Sequence, residues 1–162
     1  MTAASVISDL ARRRETVAVA ESLTAGLLCA TLVDVPGASQ VVRGGLVVYA
    51  TDLKNTLAGV PGDLLERQGP VDPEVAQAMA RGARERCGAD WGLATTGVAG
   101  PDPQAGVAVG TVFVAVAGSD DVRVRRLQFD GDRAAIRSAT VAGALDLLAE
   151  CLQGPPANAS GM

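Results

Sequence analysis

Apolar residues along the chain follow two alternating patterns. Short runs rich in valine and alanine predict β-strands, because β-branched side chains fit a pleated sheet; they lie at 16–20, 40–50, 91–96, 109–117 and 122–129. Apolar residues spaced three or four positions apart predict helices, which we place at 6–14, 23–35, 51–57, 73–87 and 132–152. Pro73 stands in the first turn of one helix and Pro36-Gly37 ends another.

Strands and helices alternate early in the chain, whereas Gly118-Ser119-Asp120-Asp121 joins the last two strands as a hairpin. Alternation favours parallel strands and a hairpin requires antiparallel ones. We therefore predict an α/β fold, a three-layer sandwich with a mixed, partly parallel β-sheet and helices on both faces. The 162 residues suit a single domain over 1–152, followed by a disordered tail over 153–162.

Three loops follow predicted strands: the one at Ser22, the segment from Tyr49 to Lys54, and the glycine-rich stretch from Gly97 to Pro101. Ligands of such sheets bind beyond the carboxyl ends of the parallel strands. We therefore expect the three loops to converge. The glycine-rich loop would also let backbone N–H groups approach an anion.

Composition and charge exclude several classes of partner. Hydrophobic residues make up 48% of the chain, enough for a core, but aromatic residues only 2%, too few for base stacking. A net charge of −4 gives no global attraction for nucleic acid or anionic membranes. No stretch reaches transmembrane length, and Cys29, Cys87 and Cys151 form no paired motif. We expect a cytoplasmic protein with free thiols and neither nucleic-acid nor membrane partners.

The chain contains no histidine. This absence excludes Ser-His-Asp and Cys-His catalysis and any metal site with histidine ligands. Proton transfer would have to use Lys, Tyr, Asp or Glu. Ser22 follows a predicted buried strand and begins a predicted helix, so it is either a helix N-cap or a nucleophile beside the N–H groups of the first turn.

A serine nucleophile needs a base, and Lys54 is the only lysine in the chain. Burial or a nearby positive dipole lowers the pKa of a lysine into the range of a useful base. Tyr49, the only tyrosine, would orient the lysine or donate a proton to a leaving nitrogen. A surface lysine and an ordinary aromatic residue at the sheet rim are the alternative interpretations.

Four segments, in order, resemble the CinA C-terminal domain family over roughly residues 5–152. Ala20-Glu21-Ser22-Leu23-Thr24-Ala25-Gly26-Leu27 is similar to its AES-x-T-x-G-L motif, and Gly44-Gly45 with Tyr49 and Lys54 resembles its GG-xxx-Y-xxxx-K segment. Thr96-Gly97-Val98-Ala99-Gly100-Pro101 matches its TG-x-AGP loop, and Val109-Gly110-Thr111-Val112 its VGTV strand. The motifs are specific when taken together.

The resemblance implies an amidohydrolase that converts nicotinamide mononucleotide and water to nicotinate mononucleotide and ammonia. We expect no cofactor and assign no metal ligands. It makes Ser22 the nucleophile, with Lys54 and Tyr49 completing the catalytic set. The substrate-binding residues that we assign from the same motifs are Thr24, Ala25, Gly26, Gly44, Gly45, Thr96, Gly97 and Gly100. The partner implied is a small-molecule nucleotide, and we also expect a homo-oligomer.

One departure from the family pattern concerns the phosphate. The family often has a basic residue and a proline just before VGTV, and Val107 and Ala108 stand there in this chain, so any phosphate contact made at that place is missing. Two alternatives to the deamidase remain open: hydrolysis of another small amide by the same pair, and a regulatory or interaction domain linked to competence or DNA damage.

Overall fold

The computed structural model of the chain describes residues 2–154. Its helices and strands follow one another, with a short 3-10 turn at Ala38–Gln40, as α1 (Ala3–Arg13), β1 (Val17–Glu21), α2 (Leu27–Val33), β2 (Val42–Val47), α3 (Thr51–Thr56), α4 (Gly62–Gln68), α5 (Pro73–Cys87), β3 (Trp91–Gly97), β4 (Thr111–Ala117), β5 (Val122–Gln128) and α6 (Arg133–Leu152).

The five strands form one sheet in the order β2-β1-β3-β4-β5. Strand β1 runs parallel to both β2 and β3, whereas β3, β4 and β5 pair antiparallel. The sheet is therefore mixed and partly parallel. Helices α1, α2 and α6 pack on one face and α5 on the other, which confirms the predicted α/β sandwich.

The two faces of the sheet carry side chains of different size. Because successive strand residues point to opposite faces, Val17 and Val19 pack towards α1, α2 and α6, while Ala18 and Ala20 face α5. Valines and alanines alternate in the same way along β4. The valine face builds an aliphatic core with three helices, and the alanine face lets one helix come very close.

Two glycines permit the close approach of α5. A Cβ atom at Gly92 of β3 would lie 1.9 Å from the carbonyl oxygen of Ala80, and one at Gly82 would lie 1.7 Å from that of Ala58. No side chain fits at either position without moving the backbone. Since Ala58 lies two residues after the end of α3, the Gly82 contact helps to set how α3 sits against α5.

The largest differences from the sequence prediction concern three elements. The helix after Ser22 begins at Leu27 and not at 23, because the chain first makes a turn with positive φ at Ala25 (48°) and Gly26 (100°). Strand β2 covers only the middle of the predicted 40–50. Helix α4 was not predicted, since its seven residues between two prolines are too few to show a helical period.

The predicted disordered tail lies, apart from its first two residues, outside the described chain. Those two residues continue α6 as a turn, in which the N–H groups of Gln153 and Gly154 donate to the carbonyls of Glu150 and Cys151. All three cysteines are unpaired. No helix among residues 2–154 is long and apolar enough to cross a membrane.

Candidate active site

A cavity of about 280 Å³ opens at the carboxyl ends of the three parallel strands. Ser22 follows β1, Tyr49 lies two residues beyond β2, and Gly97 ends β3, and all three line the cavity. The three loops singled out in the sequence thus meet at one edge of the sheet, where ligands of α/β folds bind. The volume is near the lower end of the range for small-molecule sites.

Ser22 and Lys54 form a direct hydrogen bond at the floor of this cavity. The Nζ atom of Lys54 lies 2.9 Å from Oγ of Ser22. Both side chains are buried, with Lys54 only 1% and Ser22 7% exposed. The amine also donates to the backbone carbonyls of Val48 at 2.8 Å and Tyr49 at 3.2 Å. Helix α3 delivers the lysine to the strand end that carries the serine.

The three partners of the Lys54 amine allow it to exist in two protonation states. A charged ammonium donates three hydrogen bonds, one to each of its neighbours. A neutral amine has two hydrogens and one lone pair. Since the carbonyls of Val48 and Tyr49 only accept, the amine would donate to those two and accept from the hydroxyl of Ser22. The arrangement therefore fits proton transfer from the serine to the lysine.

Burial lowers the pKa of Lys54 from 10.5 to about 8, because removing an ammonium from water disfavours its charged form. Within residues 2–154, Lys54 has no carboxylate partner that would reverse this effect. A helix starting at Ser22, whose positive end would also lower the pKa of Lys54, is absent, because α2 starts five residues later. Desolvation alone makes Lys54 a candidate base near neutral pH.

The N-terminus of α2 is occupied by the protein itself. Gly26, its N-cap residue, has no side chain to cap the helix. The carboxylate of Glu21, which is fully buried, accepts instead from the N–H groups of Leu28 at 2.8 Å and Cys29 at 3.1 Å. Ser22 is therefore not the N-cap of a helix and does not lie beside the N–H groups of a first helical turn, as the sequence had suggested, whereas its role as nucleophile stays a prediction. Glu21 caps α2 instead, and it braces the turn carrying Ser22.

The end of β3 contributes Thr96 and Gly97 to the cavity lining, and the loop after it contributes Gly100. The Thr96 hydroxyl donates to the carbonyl of Pro70 at 2.7 Å, so it ties the loop to the segment before α5. Gly100 has a φ of 85°, and a Cβ there would lie 2.7 Å from a methyl group of Val109. This loop therefore presents mainly backbone to a ligand.

Five residues assigned to substrate binding lie outside the cavity lining: Thr24, Ala25, Gly26, Gly44 and Gly45. The turn after Ser22 directs the first three away, and Thr24 is buried with its hydroxyl 2.8 Å from that of Thr95. The two glycines lie within β2, where Gly45 packs against Val19 and Cys29. The five residues therefore shape the backbone around Ser22 and Lys54 and do not line the cavity.

Tyr49 lies at the rim and is 57% exposed. Its backbone carbonyl, and not its phenol, contacts the Lys54 amine, so the expectation that the phenol orients the lysine is wrong. The phenol oxygen accepts from Nη2 of Arg133 at 2.9 Å. Arg133 is the first residue of α6 and also donates to the carbonyl of Gly100.

Sequence analysis missed Arg133 and also Arg137. The guanidinium of Arg137 donates to the carbonyls of Leu23 at 2.9 Å and Thr24 at 3.0 Å, which holds the turn after the serine. These contacts join residues 114 and 113 positions apart, because α6 packs back along the valine face. No short motif signals them, and arginines on a helix otherwise indicate a solvated surface.

The fold and this geometry define a small α/β domain with a buried serine–lysine pair at the carboxyl edge of its sheet. Its sequence matches the CinA C-terminal domain over residues 1–152. A CinA-like protein of Frankia casuarinae is 50% identical over 93% of the chain, and a putative competence-damage inducible protein of Desulforamulus reducens is 47% identical over 86%. The chain belongs to the CinA C-terminal domain family.

Solved structures agree with this assignment. The competence/damage inducible protein CihA of Agrobacterium tumefaciens superimposes with a TM-score of 0.89 at 35% identity, covering 94% of this chain and 93% of that protein. A CinA superfamily protein of Klebsiella pneumoniae gives 0.90 at 28% identity, with 93% and 95% covered. The chain spans only about a third of the Frankia and Desulforamulus relatives, 35% and 34% of their lengths.

Removing the internal cap of α2 should destabilise the protein. In Glu21→Ala the buried N–H groups of Leu28 and Cys29 lose their acceptor, so we expect the free energy of unfolding to fall by about 2–4 kcal/mol. Glu21→Gln keeps one acceptor oxygen and should lose less. Urea unfolding followed by circular dichroism measures both. The control is Glu66→Ala, at an exposed position of α4, whose free energy of unfolding should stay within about 0.5 kcal/mol of the wild type. A loss in Glu21→Ala no larger than that of the control would contradict the capping role.

Proposed function

We propose that this domain hydrolyses the carboxamide of nicotinamide mononucleotide to nicotinate mononucleotide and ammonia, with Ser22 as nucleophile and Lys54 as base. One observation carries the proposal: the buried amine of Lys54 has two partners that can only accept and one, the hydroxyl of Ser22, that can donate to it. The choice of substrate rests on the resemblance to the nicotinamide-nucleotide amidohydrolases of the family.

In the first half-reaction, neutral Lys54 accepts the hydroxyl proton of Ser22 while Oγ attacks the carbonyl carbon of the carboxamide. The tetrahedral intermediate collapses as the C–N bond breaks. The lysine ammonium gives its proton to the leaving nitrogen, which departs as ammonia. An ester between the nicotinoyl group and Ser22 remains, and Lys54 is neutral again.

In the second half-reaction, water replaces ammonia in the cavity. Lys54 accepts a proton from the water as its oxygen attacks the ester carbon. Collapse of the second tetrahedral intermediate returns the proton to Oγ of Ser22 and releases the carboxylic acid. Phenol donation from Tyr49 to the leaving nitrogen stays a hypothesis, since in this structure its oxygen is bonded to Arg133.

Both tetrahedral intermediates carry a negative oxygen that needs hydrogen-bond donors. The N-terminus of α2 does not supply them, because Glu21 accepts from its N–H groups. Leu23 follows the nucleophile directly and lines the cavity, and its backbone N–H has no acceptor within residues 2–154. We assign the Leu23 N–H to the oxyanion, the position used by the residue after the nucleophile in other serine hydrolases.

The decisive experiment incubates the purified protein with nicotinamide mononucleotide and measures ammonia and nicotinate mononucleotide. Ser22→Ala should lower kcat about a thousandfold or more, because it removes the nucleophile. Ser39→Ala, at an exposed serine, is the control and should leave the rate unchanged. Near-normal turnover by Ser22→Ala would rule out the covalent step. Release of ammonia only from a different amide would replace the substrate, and none from any amide would favour a regulatory domain.

Lys54→Arg tests whether the lysine is a base or an anchor. Arginine keeps the positive charge but has no accessible neutral form. If Lys54 is the base, Lys54→Arg should be nearly as inactive as Lys54→Ala. A lysine that only held a substrate anion would behave differently, since Lys54→Arg would then keep substantial kcat and mainly raise KM. Steady-state kinetics of both variants, with circular dichroism to verify folding, decide between the roles.

The pH dependence of kcat/KM should report the titration of Lys54. Its pKa of about 8 means that the amine is mostly protonated below that pH and mostly neutral above it. The base form is the neutral one, so the rate should rise about tenfold per pH unit below the pKa and level off above it. A stopped assay across pH 6–10 measures the profile. A rate that falls as the pH rises through 8 would contradict a lysine base.

A further inference from the structure

Arg133 brings an unpaired positive charge to the rim of the cavity. Its guanidinium is exposed and donates to neutral acceptors only, the phenol oxygen of Tyr49 and the carbonyl of Gly100. Within residues 2–154 it has no carboxylate at ion-pair distance. Five other arginines do form ion pairs there: Arg12, Arg13, Arg67, Arg123 and Arg125. The cavity rim is thus one place where an arginine remains available to an incoming anion.

The other charged groups of the cavity cannot hold an anion in the same way. Lys54 is 1% exposed and engaged with Ser22 and two carbonyls at the floor. Asp102 lines the rim with a negative charge. A guanidinium has five N–H donors and two of its nitrogens are bonded here, so Arg133 keeps further donors for a ligand. Among the lining residues only Arg133 combines positive charge with exposure.

The cavity is therefore polarised from floor to rim. A serine–lysine pair that would act on an amide lies buried, and a cation stands at the exposed mouth. The places just before β4 hold Val107 and Ala108, neither of which could bind an anion by charge. A substrate with an amide at one end and a phosphate at the other matches this order of groups, a buried pair at the floor and an exposed cation at the mouth.

We propose that Arg133 binds the phosphate monoester of the substrate and selects a phosphorylated ribosyl amide over its neutral nucleoside. The guanidinium would form charge-assisted hydrogen bonds to phosphate oxygens, which are stronger than those to neutral acceptors. The hydrogen bonds of Arg133 to Tyr49 and Gly100 hold its guanidinium at the mouth of the cavity before a ligand binds. This inference deepens the proposed function by assigning its anion subsite.

Direct binding tests the subsite without depending on turnover. Titration calorimetry with ribose 5-phosphate, with ribose as the neutral comparison, measures the affinity of the wild type and of Arg133→Gln. We expect the phosphate compound to bind the wild type and its Kd to rise about tenfold or more in Arg133→Gln. Arg126→Gln is the matched control, because Arg126 is an exposed arginine on β5 at the far edge of the sheet; it should bind like the wild type.

Tyr49→Phe separates charge from structure, since it removes the hydrogen bond of Arg133 to the phenol but keeps the guanidinium. Its affinity for ribose 5-phosphate should stay within about threefold of the wild type. An equal loss in Tyr49→Phe, an unchanged Kd in Arg133→Gln, or no saturable binding to the wild type would each overturn the proposal. If binding depends on Arg133 but no ammonia is released from the nucleotide, the proposed reaction is wrong and the anion subsite stands.

Discussion

The structure depends on keeping one lysine amine out of water without a compensating negative charge. Lowering the pKa of Lys54 from 10.5 to about 8 corresponds to a penalty on the order of 3 kcal/mol for its charged form. The two carbonyls and one hydroxyl around the amine replace its water. A carboxylate in their place would stabilise the ammonium and remove the base. The fold instead surrounds the amine with neutral polar groups, so both its charged and its neutral form can exist near neutral pH.

The two helical layers of the sandwich each position one member of the serine–lysine pair. Helix α3, which carries Lys54, belongs to the layer of α5, and the glycine at 82 lets that layer close against Ala58. The turn after Ser22 is held from the opposite layer by the carboxylate of Glu21 and the guanidinium of Arg137. Ser22 and Lys54 are therefore held from opposite layers of the sandwich and meet at the edge of the sheet. Because both layers pack on the same sheet, the hydrophobic core fixes the position of one residue relative to the other.

Sequence reasoning predicted much of this arrangement, and its failures have physical causes. The strands, the mixed sheet and the convergence of Ser22 with Lys54 follow from periodicity and from where ligands bind in α/β folds. Thr24 and Gly26 were predicted to bind substrate, but they lie outside the cavity lining, because two residues with positive φ turn that segment away.

The parts that could not be predicted depend on tertiary contacts. Glu21 was visible only as a member of a motif, and nothing in a single sequence shows that a buried carboxylate caps the next helix. Arg133 reaches Tyr49 across 84 residues of chain, through packing that no local pattern encodes. Composition does indicate the base, since a chain without histidine and with a single lysine leaves the Lys54 amine as its main candidate.

The single lysine also makes the protein suitable for selective labelling and magnetic resonance of one side-chain amine. Because the chain has no second lysine side chain, isotopic labelling with nitrogen-15 lysine would place a label on just one ε-amine, the one that touches Ser22. Its resonance needs no assignment experiment and would follow the protonation, solvent access and ligand occupancy of the cavity directly. Few domains allow the chemistry of a single buried amine to be observed without altering a residue.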